Sequence, residues 1–251
     1  MKSRISASIF TALLAFTNPA FADETVAIKV GYMLLSPSGT FGATINNIGT
    51  KIDTKNDINL GNSVQPTGEI TLNLGDNIFS FGFIPLNFSG SSSLPRPITY
   101  NGTTYAINSA IQSELKADIL DFSYGYYLLN MDDLPSRLQI AFETSVKTVN
   151  IKTNITSGGI TSNKSATVPI PTIGLRGRVA LADFIGLTGR IGYLGYSGNS
   201  FTDYDAQIEF SPIPTLGIYG GYRFLKIKVD ASGILADATF KGPHAGVFFR
   251  F

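Results

Sequence analysis

The sequence predicts an all-β fold, an antiparallel up-and-down β-barrel of about ten strands, on three observations. Period-2 alternation of apolar and polar residues recurs from Val26 to Phe251, and no 18-residue window carries a persuasive 3.6-residue period. The composition favours strands and turns, with 26 Gly, 18 Phe and 11 Tyr in 251 residues and only 15% charged. The segments between the candidate strands alternate between very short and long, and the long ones are rich in Gly, Ser, Asn and Thr.

Residues 1–22 read as a secretory signal to be excluded from the fold. Lys2 and Arg4 form a basic start, ISASIFTALLAF is a short apolar core, and Ala20-Phe21-Ala22 fits a small-x-small cleavage site. The apolar core is far shorter than the roughly 20 residues a spanning helix needs. The rest, 23–251, forms one domain. Loss of Lys2 and Arg4 takes Lys plus Arg from 19 to 17 against 18 acidic residues, a formal net charge of −1. That balance argues against nucleic acid as a partner, because phosphate binding needs a basic face. The chain has no cysteine, which excludes disulfides, thiolate metal sites and a lipidated cysteine.

Strands are expected near 26–42, 64–75, 78–89, 113–129, 137–152, 168–182, 185–198, 202–211, 216–230 and 239–251. In DYDAQIEFS, Tyr204, Ala206, Ile208 and Phe210 alternate with Asp203, Asp205, Gln207 and Glu209. In RLQIAFETSVK, Leu138, Ile140, Phe142 and Val146 oppose Gln139, Glu143, Ser145 and Lys147. Arg176, Arg178 and Arg190 fall on the polar faces of the next two strands. An even strand count puts both termini at one end, and eight strands is the alternative if one rim hairpin lies outside the membrane. Short links are Asp76-Asn77, NMDDLPS (130–136), Asp183-Phe184 and PIPT (212–215). The long ones include 42–63, 89–112 and TNITSGGITSNKSAT (153–167). Two strands change phase, around Ile119-Leu120 and around Phe224-Leu225, which is read as bulges or as strand ends leaving the membrane.

Alternation alone also fits a soluble, lipocalin-like barrel with its apolar face inward. Three features favour a transmembrane barrel with the apolar face outward. There are enough strands to close a sheet and satisfy its backbone in lipid. Aromatics gather toward strand ends, at Phe79, Phe81 and Phe83, at Tyr124, Tyr126 and Tyr127, and at Phe248, Phe249 and Phe251. The polar face holds Asp121, Glu143, Arg176, Arg178, Arg190, Glu209, Arg223 and Arg250, charges of both signs able to pair in a narrow, salt-bridged lumen.

The final strand carries Ala245, Val247, Phe249 and Phe251 on one face and ends in an aromatic. With FKGPHAGVFFRF, GIYGGYRFLKIKVD and SGSSSLPRPITYNGTTY, it resembles the small outer-membrane β-barrels of Gram-negative bacteria, broadly those of the OmpW and OmpA-transmembrane kind. The resemblance implies a bacterial outer-membrane location with periplasmic termini and long loops outside. It also implies outer-membrane lipids and lipopolysaccharide as surroundings, and recognition of Val247, Phe249 and Phe251 by the barrel-assembly machinery. It implies no particular activity.

Candidate chemistry is sparse. His244, the only histidine, falls on the inward face near Lys241 and Gly246. A barrel resembling the lipid A 3-O-deacylases would need a His-x-Ser pair, and one resembling the omptins an Asp-x-His pair. Gly246 and Gly242 occupy those places. Asp203 and Asp205 share a face near a rim, where solvation of a strand end is the simpler role. Asp53, Asp57, Asp132 and Asp133 lack the spacing of a calcium loop and read as solvated loop charge. No metal, cofactor or phosphate-binding motif is indicated. The expected protein is therefore non-enzymatic, with a structural role or a narrow porin-like path for small solutes. The alternatives are loop-mediated surface interaction with an unidentified ligand and, less favoured, an envelope lipid or peptide hydrolase.

Overall fold

The computed structural model describes residues 25–44, 49–131, 137–213, 215–231 and 234–251. The leader read at 1–22 and the acidic pair Asp132 and Asp133 lie outside the described residues.

Ten long strands form the wall. In chain order they are β1 (Val26–Ala43), β3 (Ser63–Leu74), β4 (Asn77–Ser93), β7 (Ala110–Met131), β8 (Leu138–Ser157), β9 (Ile160–Ala182), β10 (Ile185–Tyr196), β11 (Asn199–Ile213), β12 (Leu216–Ala231) and β13 (Ile234–Arg250). Each pairs antiparallel with its sequence neighbour, and β13 returns to β1 from Ala27↔Arg250 to Ala43↔Ile234. Main-chain hydrogen bonds between Val26 and Phe251, at 3.0 and 2.9 Å, finish the closure. Closure needs all ten strands, so the eight-strand alternative is set aside. Three short strands lie between the long ones: β2 (Ile52–Asp53), against β1, and the hairpin β5 (Ile98–Tyr100) and β6 (Thr103–Tyr105).

Turns and loops separate to opposite ends. At the turn end, Gly75, in the left-handed region at φ 59°, and Asp76 join β3 to β4, one residue earlier than the sequence suggested. At the loop end the long connections among the described residues are those between β1 and β3 and between β4 and β7. The stretch 153–167, expected as a loop, is strand on both sides of a turn at Gly158 and Gly159, whose φ values are 55° and 83°. Apart from the buried Thr153 and Ser162, its polar residues are at least partly exposed on a sheet that rises past the apolar belt, so their composition resembled a loop.

The phase changes are not bulges. In β7 the residues Ile111, Ser113, Leu115, Ala117, Ile119, Asp121 and Ser123 are all buried, an unbroken alternation. The β12–β13 ladder likewise runs through Phe224↔Lys241 and Leu225↔Phe240 without a shift. Register shifts occur instead near the turn end, at Tyr127/Leu129, Ile185/Gly186 and Phe210/Ile213. What changes is the chemistry of each face. In the turn-end half Leu120, Phe122 and Tyr124 point out and Asp121 points in. In the loop-end half Lys116 and Asp118 point out, and Leu115, Ala117 and Ile119 point in. The same inversion crosses β8 between Lys147 and Val149, both inward, and β12 between Arg223 and Leu225.

The loop-end half therefore has an apolar core. Met33, Leu35, Leu86, Phe88, Leu225 and Phe240 supply its wall, and Ile52, Ile58, Leu60, Leu94, Ile98 and Tyr100 enter it from the loops. Phe88 and Phe240 stack at 5.3 Å. The loops are pinned as well as packed. Asp57 is buried rather than solvated, accepting hydrogen bonds from Asp53 N (2.8 Å) and from Arg96 Nη2 (2.6 Å) and Nε (3.2 Å). The Tyr105 hydroxyl donates to the Ile155 carbonyl at 3.0 Å, and Tyr100 pairs with Thr153. Burial pushes the Tyr100 phenol above its usual pKa.

Candidate functional site

Strand alternation points every second residue of the turn-end half inward, and thirteen charged side chains are among them. Asp121, Glu143, Arg176, Arg178, Arg190, Glu209, Arg223 and Arg250 all lie on the inward face. They meet further charges that the sequence reading left out of the set: Lys29, Glu69, Lys147, Asp203 and Asp205. Lys147 shares the parity of Glu143 and Ser145, and Glu69 that of Thr67 and Thr71, so the signal was present in the alternation. Asp203 and Asp205 are not at a rim. They are buried in mid-wall, because β11 continues past them to Asn199.

The charges join into one system. Arg176 and Arg190 face each other across the β9–β10 ladder and share Glu143, at 2.7 and 2.5 Å. Glu69 approaches the same two guanidiniums from the far wall, at 3.4 and 3.6 Å. Arg190 also reaches Asp121 at 2.8 Å, and Asp121 pairs with Lys147. Lys147 lies 3.2 Å from Asp203, which receives the two-point grip of Arg223, Nε at 3.1 and Nη2 at 2.7 Å. A second group centres on Glu209, held by Lys29 at 2.8 Å and by Arg250, with Arg178 at 3.5 Å. Gln207 links the groups, accepting from Lys29 at 2.8 Å and donating to Asp205 at 2.7 Å.

This pairing is what permits the charges inside. An ion moved from water into a protein interior costs several kcal/mol, and partners on more than one side offset that cost. Lys147 is 1% exposed, so its two carboxylates stand in for its hydration shell.

His244 lies 3.4 Å from Asp205 through Nε2, with its ring 5.7 Å from that of Tyr219. Lys241 is not near it in the lumen, since odd positions of β13 face outward. The same parity sends Val247, Phe249 and Phe251 outward, whereas Phe248 is fully buried beneath Arg250, 4.2 Å from its guanidinium carbon, and belongs to no aromatic girdle. Gly31, Gly221 and Gly246 leave room on the inner wall, where any side chain would collide with Tyr219 or His244. A cavity of 420 Å³ occupies the charged half, from Asn73, Asn130, Arg137 and Gln139 at the turn end up to Met33 and Ile84. Most of the charged side chains along it are already paired with one another.

The outer wall of the turn-end half is apolar around the whole circumference. Tyr32, Ile70, Phe122, Phe142, Ile173 and Ile218 are among the exposed side chains, each on a different strand. A closed antiparallel wall, greasy outside and charged inside, is the fold of an outer-membrane β-barrel.

A solved structure agrees on the fold. The translocator domain of the autotransporter NalP from Neisseria meningitidis aligns over 97% of this chain and 93% of its own, with TM-score 0.50 and 11% identity. Ail, the attachment invasion locus protein of Yersinia pestis, aligns over 91% of this chain and all of its own, with TM-score 0.42 and 13% identity. Neisserial surface protein A aligns over 90% and 97%, with TM-score 0.37 and 11% identity. No protein-family model and no curated protein matches the sequence.

Proposed function

We propose that this chain is a non-enzymatic barrel of the bacterial outer membrane, acting as a closed scaffold that presents its loop end at the cell surface. The observation that carries this reading is the apolar core of the loop-end half. Ile52, Leu60, Leu94 and Tyr100 from the loops fill the space through which a solute would leave. The charged half adds stiffness, because its ions are already paired across the lumen. Termini and turns are assigned to the periplasm and the loop end to the outside, with residues 1–22 directing export. Val247, Phe249 and Phe251, outward on the closing strand, are assigned to recognition by the assembly machinery, with lipid and lipopolysaccharide around the belt.

Planar-bilayer recording on the refolded barrel tests the scaffold reading. The expected trace is silent, and a steady unitary conductance would replace the reading with its rival, a narrow solute conduit. That rival draws on the 420 Å³ cavity, which would extend through the barrel if the ion pairs and loops rearranged. Phe251→Ser should lower the yield of heat-modifiable barrel in outer-membrane fractions. An unchanged yield would remove Phe251 from the assembly signal.

A further inference from the structure

The turn end of the lumen carries a rung of hydrogen-bond donors. Asn130 on β7, Gln139 on β8, Arg178 on β9, Thr188 on β10 and Gln207 on β11 are successive ladder partners, each opposite the next. All five line the 420 Å³ cavity. Directly opposed residues stand about 5 Å apart, so the rung sets one guanidinium between neutral amides and a hydroxyl.

The next rung, two residues nearer the turns, begins at Arg137, whose carbonyl accepts from Ala180 N at 3.1 Å, and continues through Ala180↔Gly186 to Gly186↔Glu209. Arg137 is exposed and lines the same cavity. It stands diagonal to Arg178, because Gln139, two residues along, is the direct partner of Arg178. A diagonal pair is about 7–8 Å apart at the backbone, within reach of two long side chains.

Carboxylate is scarce here. From β8 to β11 the described charges on these two rungs are Arg137 and Arg178 against Glu209 alone. Glu209 lies three strands from Arg137, roughly 14 Å across the sheet, and it already serves Lys29 at 2.8 Å and Arg250, with Arg178 at 3.5 Å. Deeper in, Arg176 and Arg190 share two carboxylates, Glu143 and Glu69, so charge there balances pair for pair. The surplus of positive charge therefore sits at the open end of the cavity, where it meets solvent.

A guanidinium offers a planar fork to two oxygens. Two forks set diagonally, with amides and a hydroxyl beside them, match an anion whose oxygens point in several directions. A carboxylate fills one fork, and a phosphate group fills both.

We propose that the turn-end mouth of the lumen binds a phosphate group, free or carried by a small phosphomonoester, with Arg137 and Arg178 as its forks and Gln139 and Thr188 as neutral donors. That the ligand comes from the periplasm rests on the orientation assigned above, and the closed loop end makes the site a blind pocket. The chemistry of the site depends on neither.

Calorimetric titration of the refolded barrel in a neutral detergent, with inorganic phosphate in one arm and glycerol 3-phosphate in the other, tests the site. Saturable one-to-one binding is expected, and the arm of higher affinity identifies the source. Arg137→Gln and Arg178→Gln should each weaken binding about tenfold or more, as loss of charge-assisted hydrogen bonds does. Lys228→Gln, which removes an exposed charge from the loop-end half of β12, should leave it unchanged. Heat-modifiable migration verifies that each variant folds, and Arg137→Gln, at an exposed position, carries the test if Arg178→Gln does not. Sulfate should displace phosphate, and chloride at the same concentration should not. Titration without saturation, unchanged binding in the arginine variants, an equal loss in Lys228→Gln, or displacement by chloride as effective as by sulfate overturns the site. A conducting barrel that still binds phosphate would remove the closed scaffold and keep the site, and a silent barrel without saturable binding would do the reverse.

Discussion

The two halves of the interior use the same ten strands and the same inward alternation, yet they are built from opposite chemistry. In the turn-end half the inside is Lys147, Asp121, Arg190 and Glu143, and the outside is Phe122, Phe142 and Ile173. In the loop-end half the inside is Phe88, Leu115 and Leu225, and the outside is Lys116, Asp118, Asn150 and Lys152. The difference follows from the medium outside the wall. Lipid accepts an apolar exterior and leaves the polar residues to face one another, whereas water holds the polar residues and drives the apolar ones inward. One continuous strand therefore serves as a membrane strand and then as a strand of a water-soluble barrel. The crossover falls at Lys147 to Val149 on β8 and at Arg223 to Leu225 on β12.

The comparison predicts that the two halves fail differently. Lys147→Met in the charged half should cost the most, roughly 3–5 kcal/mol in urea unfolding from vesicles, because Asp121 and Asp203 each lose a buried partner. Asp121→Asn added to it should recover part of that loss, because one carboxylate is then neutralised for one lysine while Glu143 still holds Arg190 and Asp203 still holds Arg223. A neutral outcome for the single change would mean that water already reaches this layer.

Phe88→Ala in the apolar half should cost about 3 kcal/mol through the lost burial and the cavity left against Phe240. No compensating charge change would rescue it. If the loop end came loose while the membrane half kept its urea midpoint, the halves would be separate cooperative units.

The smallest effect is expected at the cap. Arg96 is half exposed, so Arg96→Ala should cost about 1 kcal/mol or less globally. Its consequence should be local, as faster proteolysis within 49–62, because Asp57 and the Lys51 carbonyl lose the guanidinium that ties them.

Much of this fold was legible in the alternation. DYDAQIEFS and RLQIAFETSVK declared their two faces, and all ten strands overlap the segments expected, within a few residues at most ends. The lumen set was legible in part, since parity identifies inward residues. Lys147 was on the page with Glu143, and Asp203 and Asp205 with Glu209. What parity cannot supply is height along the barrel, so Asp203 and Asp205 were placed at a rim and 153–167 was taken for a loop. A polar stretch reads alike whether it is a loop or a strand outside the membrane.

By itself, then, the sequence determined the strands and the two chemistries of each face, because a period of two is written in neighbouring residues, whereas the choice of ten strands over eight waited on closure. Only the tertiary structure decided that Glu69 on β3 meets Arg176 and Arg190 on the opposite wall. It alone decided that Ile52 and Tyr100 fold back into the loop end. Those contacts depend on how far each strand is staggered as the sheet closes. Stagger arises from closing all ten strands at once, and no single strand encodes it.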